Sequence, residues 1–259
     1  MKNVVSLIIA SAILIACSKV PITNRKQTNL LPESTLINMS EDQYAAFLAE
    51  AVVLPDSDPR AKKVKEVGEK IKAATESFLN SKGYQKRIEG FAWEFKTVKN
   101  DTTINAWCMP GGKVCVYTGI LPLFESDDEM AVVMGHEIAH AIARHGNERM
   151  SQQMIINGVG SVLSPADTTQ VSIFQKVFIG AGTLGMLKYS RDHESEADKL
   201  GLVFAKLAGY DPAAAITFWK KMAAQGGAGM PEIFSTHPSD ERRIADLEEF
   251  LKEIDQYTE

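Results

Sequence analysis

Long basic clusters, long apolar runs and internal repeats are all missing from this sequence, and each absence excludes something. Lys and Arg total 28 against 33 acidic residues, for a formal net charge of −5. Basic residues gather only in short runs such as Arg60-Ala61-Lys62-Lys63. Nothing there is built to neutralise a phosphate backbone, which argues against nucleic acid as a partner. No apolar run reaches the roughly 20 residues that a membrane-spanning helix needs. No repeat and no second domain can be discerned, so one folded unit is expected. With 45% apolar and 24% charged residues over 259 positions, the chain has an ordinary globular composition and enough length for a sizeable core.

Cysteine is also scarce, at three residues. The first, Cys17, closes a targeting-like stretch: Lys2 gives a positive start, and Val4 to Ala16 is an apolar segment too short to span comfortably. Leu14-Ile15-Ala16-Cys17 resembles the lipobox of bacterial lipoproteins, in which a small residue precedes the lipidated Cys. The expectation is a signal peptide over 1–16, lipid on Cys17 and a polar tether over 17–40, then a folded domain over 41–259. The competing reading is an uncleaved anchor with Cys17 incidental. Several acyl chains on Cys17 would hold the chain firmly to a membrane. Ser18, where an Asp would resemble an inner-membrane retention signal, favours the outer membrane facing the periplasm. Cys108 and Cys115 flank Met109-Pro110-Gly111-Gly112-Lys113-Val114. A two-residue Gly111-Gly112 turn would place the two cysteines opposite each other, within reach of a disulfide. A one-residue change of register would leave two buried thiols.

Residues 18–40 carry Pro21 and Pro32 and no periodicity. From Ser40 the pattern turns helical, until Pro55. Residues 59–82 place Val64, Val67, Ile71 and Phe78 on one face of an amphipathic helix. Phe91–Val98 and Lys113–Thr118 alternate as strands. Ser126-Asp127-Asp128-Glu129 caps a helix that runs to about His145, and helices follow over 190–208, 213–224 and 239–255. Residues 151–190 read as helices over a cleft or as a membrane-contacting loop. Strands come early and helices late, which predicts an α+β fold.

His136-Glu137-Ile138-Ala139-His140 carries the chemistry. Histidines four apart on a helix share a face, so two imidazoles can reach one metal, and zinc suits nitrogen donors. Glu137 lies beside the metal without ligating it, where it can take a proton from water and pass it to a leaving amine. The plain alternative is a pair of surface histidines, but Met130–Gly135 and Ala141–Ala143 bury this helix, and two unpartnered buried histidines would be costly. His145 reads as a C-terminal cap of the same helix. A catalytic zinc needs a third ligand. The dense carboxylate cluster downstream is Arg191-Asp192-His193-Glu194-Ser195-Glu196-Ala197-Asp198. Glu194 and Asp198 share one face, and Gly201 permits close packing there. Asp192, Glu196 and Lys199 fit a solvated face better, and His193 reads as a surface residue. Spacing alone leaves Glu194 and Glu196 both open as the ligand.

The histidine motif, followed some fifty residues later by Ser190-Arg191-x-x-Glu194-x-Glu196-Ala197-Asp198, resembles peptidase family M48. Asn105-Ala106-Trp107, Pro110-Gly111-Gly112, Val116-Tyr117-Thr118-Gly119, Thr236-His237-Pro238-Ser239 and Glu241-Arg242-Arg243-Ile244 extend the resemblance over about 40–255. It implies a zincin-like domain, mostly helical, with a small antiparallel or mixed sheet whose edge strand faces the active-site helix. It implies one zinc per chain held by His136, His140 and Glu194, with Asp198 hydrogen-bonded to a ligand histidine. The strand at Asn105 and Ala106 would bind an extended substrate backbone by main-chain pairing. His237, on a loop before Pro238, would act with Arg243 on the oxyanion, or would instead close the open coordination position as a latch. The plain alternative is a helix-capping His237 and a surface ion pair for Arg243. The absence of several membrane spans resembles the periplasmic, BepA-like lipoprotein branch. That branch implies an endopeptidase acting on unfolded or misassembled envelope proteins. Competing readings are a peptidase of small peptides or of one partner, and a zinc-containing chaperone or binding lipoprotein whose site stays latent.

Overall fold

The computed structural model describes residues 17–156, 189–224 and 241–259. The elements named below are those of the described residues. A short hairpin, β1 (Cys17–Lys19) and β2 (Lys26–Thr28), precedes helices α1 (Glu33–Glu50) and α2 (Pro59–Ser81). A three-stranded sheet follows, made of β3 (Glu94–Val98), β4 (Ala106–Met109) and β5 (Lys113–Tyr117). Then come α3 (Asp127–Ala143), α4 (His145–Ile156), α5 (Arg191–Leu207), α6 (Ala214–Ala224), α7 (Glu241–Leu251) and the short α8 (Asp255–Thr258). The fold is α+β and mostly helical.

The sheet is mixed, in the order β3-β5-β4: β3 runs parallel to β5, and β4 runs antiparallel to it. Its two faces serve different layers. Ala106, Cys108, Val114 and Val116 join the main core with α3 and α5, whereas Trp107, Met109, Cys115 and Tyr117 join a second cluster under α1. Helix α3 is the centre of the molecule, buried from Glu129 to Ala143 without interruption. This explains its nearly continuous apolar sequence, since a helix covered on all sides has no polar stripe. Ser126 caps it, its hydroxyl accepting from the Glu129 N–H at 3.2 Å. Arg144, with φ +60°, turns the chain out of the helix.

Several boundaries differ from the sequence expectation. Helix α1 starts at Glu33 behind Pro32, where the pattern suggested Ser40. The stretch 17–40, expected as a polar tether, is packed on the domain: Val20 and Gln27 are buried, and Gln27 Nε2 donates to the Ala143 carbonyl at 2.7 Å. Polar side chains there are not solvated linker; they satisfy the last carbonyls of α3, assisted by the buried Arg87, whose guanidinium donates to Gln27 Oε1 at 2.8 Å. The β4–β5 connection spans Pro110, Gly111 and Gly112, with Met109 opposite Lys113. Proline cannot donate into a ladder, so it joins the loop, and both glycines take positive φ (+91° and +80°). Cys108 therefore faces Val114, Cys115 faces Trp107, and both cysteines are free and buried on opposite faces of the sheet. Residues 1–16, most of 151–190 and His237 lie outside the described residues.

Candidate metal centre

Two glycines set the position of the site. An added Cβ on Gly201 of α5 would sit 2.7 Å from the His136 backbone nitrogen, and one on Gly135 would sit 2.8 Å from the Gly201 carbonyl oxygen. Helices α3 and α5 therefore cross backbone to backbone one residue before His136. This crossing brings the first turns of α5, which Ser190 caps, over the histidine face of α3.

At the crossing, three side chains converge. His136 Nε2 lies 3.0 Å from His140 Nε2, 3.4 Å from Glu194 Oε2, and His140 Nε2 lies 3.5 Å from Glu194 Oε1. All three residues are buried. Among the described residues they form the one group of His, Cys, Asp or Glu whose donor atoms come together closely enough to hold a metal. Donors bound to zinc at about 2.05 Å at tetrahedral corners stand roughly 3.3 Å apart, which is the separation seen here. Two nitrogen donors and one carboxylate leave a fourth position open, the composition of a catalytic zinc site. The residues fit the metal.

Each of the two histidines is backed by other side chains. His136 Nδ1 lies 2.9 Å from Asp198 Oδ1. Arg243 holds that carboxylate with two charge-assisted bonds, Nε to Oδ2 at 2.8 Å and Nη2 to Oδ1 at 2.7 Å, and its Nη1 lies 3.5 Å from Glu194 Oε2. The guanidinium also stacks on Trp219 with 3.7 Å between its carbon and the ring centroid. Burial alone would lower the His136 pKa, but Asp198 and Glu194 together raise it to about 9. Arg243, buried beside Asp198, draws that carboxyl below its usual range against the effect of burial.

His140 is backed differently. His140 Nδ1 lies 2.9 Å from His145 Nδ1, and His145 Nε2 lies 2.9 Å from Glu196 Oε2. His145 does not cap α3; it opens α4 and is fully buried, which lowers its pKa to about 4. Glu196 and His193, expected on a solvated face, are buried as well. His193 Nε2 lies 3.1 Å from Glu148 Oε2. Both carboxylates meet Arg25, whose Nε donates to Glu196 at 2.9 Å and whose Nη atoms donate to Glu148 at 2.8 and 2.7 Å. Thr23 also donates to Glu196. Burial would raise the Glu196 pKa, but bonds from His145, Arg25 and Thr23 bring it down to about 2. Tyr189 stacks on His140 at 3.9 Å between ring centroids, and burial, with Glu137 and Glu194 nearby, holds its phenol protonated.

Glu137 is buried between His136 and His140 in the sequence of α3. The edge strand β4 packs against α3. Asn105 accepts the Tyr117 N–H at its carbonyl (3.1 Å), and its Oδ1 accepts the Ala106 N–H at 2.9 Å. In an antiparallel ladder alternate residues turn their peptide groups outward, so the Ala106 carbonyl and both peptide groups of Cys108 face away from β5. Among the described residues no strand pairs with that edge.

With this geometry in place, the relatives are informative. The family model described as Peptidase family M48 matches residues 62–251. The chain belongs to peptidase family M48. Among M48 relatives, the mitochondrial metalloendopeptidase OMA1 of Schizosaccharomyces pombe is 34% identical over 238 residues, 90% of this chain and 66% of that protein. The human mitochondrial metalloendopeptidase OMA1 is 30% identical over 250 residues, 89% of this chain and 45% of its own length. The Beta-barrel assembly-enhancing protease of Escherichia coli is 31% identical over 183 residues, 65% of this chain and 37% of that protein. The chain thus spans from about a third to about two thirds of these relatives. They do not single out the periplasmic lipoprotein branch within the family.

Arg243, expected to aid an oxyanion or to lie in a surface pair, is buried and braces Asp198, so it is not in a surface pair. Arg25, Glu148, His193 and Tyr189 have no place in the sequence-level site. The burial of His145 has a signal in the sequence, the apolar run Ala141-Ile142-Ala143 close before it.

Proposed function

We propose that this protein is a zinc-dependent endopeptidase that cleaves unfolded or misassembled polypeptides. The observation that carries the reading is the convergence of His136, His140 and Glu194 at 3.0 to 3.5 Å, with Glu137 adjacent on the same helix. Zinc bound there would supply Lewis acidity, which makes water a stronger acid and a carbonyl a better electrophile. Glu137 accepts the proton of the attacking water and hands it to the leaving amine. Asp198 holds His136 with its Nε2 lone pair toward the site. The outward peptide groups of Ala106 and Cys108 offer pairing to an extended substrate backbone, which gives affinity with little sequence preference. That mode of recognition suits unfolded chains and not compact ones.

The location is proposed from the N-terminal sequence. The relatives do not decide it, because the OMA1 proteins are mitochondrial and the Escherichia coli relative is bacterial. No helix of the described residues is long and apolar enough to cross a membrane. The lipobox-like Ile15-Ala16-Cys17 supports a signal peptide over 1–16 and lipid on Cys17, placing the domain at the periplasmic face of a bacterial outer membrane. The name of the Escherichia coli relative, a protease that enhances β-barrel assembly, supports envelope proteins as the substrate class.

The test combines metal analysis with digestion of an unfolded test protein. The proposal expects one zinc per chain, cleavage at internal bonds, loss of cleavage on chelation and recovery on adding zinc. A protein that binds zinc and suppresses aggregation of the test protein without cutting it would instead support the latent chaperone reading.

A further inference from the structure

We infer that His145 and Glu196 form a positioning relay that fixes the tautomer of His140, and that Arg25 and Thr23 from the N-terminal segment hold the far end of it. The inference rests on reading the site as a metal centre, and goes beyond it by giving the second ligand a support of its own.

Protons can be counted along one line of atoms. Glu196 Oε2 stands 2.9 Å from His145 Nε2. A carboxylate only accepts, so the ring proton of His145 sits on Nε2. A neutral imidazole carries one such proton, which leaves His145 Nδ1 as an acceptor. The atom facing it at 2.9 Å is His140 Nδ1, which must therefore be the donor. With its proton on Nδ1, His140 presents a lone pair at Nε2, the atom that lies 3.0 Å from His136 Nε2 and 3.5 Å from Glu194. The opposite placement would turn an N–H into the site and abolish the ligand.

His136 obtains the same result with one fewer residue, since Asp198 faces its Nδ1 directly. The two ligands thus have separate carboxylate supports on one helix, α5, pointing in different directions. The inserted imidazole makes up the distance between Glu196 and His140. It is fixed on its flat side by stacking on His193 at 4.3 Å between centroids, and His193 in turn meets Glu148. Arg25 spans both carboxylates. Thr23 donates to Oε1 of Glu196 and Arg25 shares Oε2, which holds the carboxylate with Oε2 turned toward His145. A segment that sequence reads as a tether is in this way part of the wall behind the metal.

The experiment is nitrogen-15 NMR of the histidine rings in the zinc-loaded protein, paired with zinc affinity by chelator competition. The relay predicts protons on His140 Nδ1 and on His145 Nε2 alone. It also predicts that Glu196→Gln, which can present a donor to His145, weakens zinc binding by about 10- to 100-fold. A proton on His145 Nδ1, or wild-type affinity in a folded Glu196→Gln protein, would overturn the relay while leaving the metal centre standing. A wild-type protein that takes up no zinc would overturn both. Should Glu196→Gln fail to fold, the ring spectra of the wild type decide alone.

Discussion

At the scale of single residues, the centre is a set of charges that would be costly apart. Arg243 and Asp198 are both buried, and removing Arg243 leaves Asp198 with the His136 ring alone as its counter-charge. Arg243→Ala is expected to cost about 3–5 kcal/mol of stability and to weaken zinc binding; thermal melts of the metal-free protein and chelator competition check both. Unchanged melting would show that the His136 ring alone balances Asp198. The two carboxylates that sequence spacing left open now occupy distinct places. Glu194→Gln should nearly eliminate zinc uptake, whereas Glu196→Gln should only weaken it. The reverse order would move the ligand to Glu196. The proton on His136 gives a pH signature. Because its pKa is raised to about 9 in the metal-free protein, and zinc needs the neutral ring, uptake below that pH must expel a proton. Zinc affinity should therefore fall as pH drops below about 9, and uptake at pH 7.5 should acidify a weakly buffered solution. Uptake with no proton release would mean that His136 is already neutral.

At the scale of elements, the crossing of α3 and α5 determines whether the ligands meet. A methyl group at Gly201 would stand 2.7 Å from backbone nitrogen, and a backbone cannot swing aside as a side chain can. Gly201→Ala should push the helices apart, lower stability by about 1–3 kcal/mol as overpacking does, and cost more in zinc affinity than its distance from the donors suggests. An unchanged zinc affinity would show that the crossing is not what places Glu194. The hairpin tests the register. Cys108 and Cys115 face opposite layers, so both should be alkylated after unfolding without reductant, and protection of the pair would contradict the three-residue turn.

At the scale of the molecule, the legible parts of the sequence were those with a local cause. The amphipathic face Val64-Val67-Ile71-Phe78 gave α2, Ser126 gave the start of α3, and the four-residue histidine spacing gave two of the three donors. What was not legible depends on contacts between distant segments. Nothing near Glu196 or His193 in the chain tells that Arg25, some 170 residues earlier, folds over them, and without that cation they read as a solvated face. Likewise 17–40 reads as a linker because Gln27 satisfies a helix end that sequence does not place beside it. The Cys108–Cys115 register turned on one residue, Pro110, which pattern alone assigned to the wrong side of the turn.

The central claim is that His136, His140 and Glu194 hold zinc for hydrolysis with Glu137 as the base. Its most direct test compares wild type with Glu137→Gln, measuring zinc per chain and the rate at which an unfolded protein is cut. The account predicts equal zinc in both and a rate lowered by about 10²- to 10⁴-fold in the variant. Cleavage by Glu137→Gln at the wild-type rate, with zinc unchanged, would contradict it.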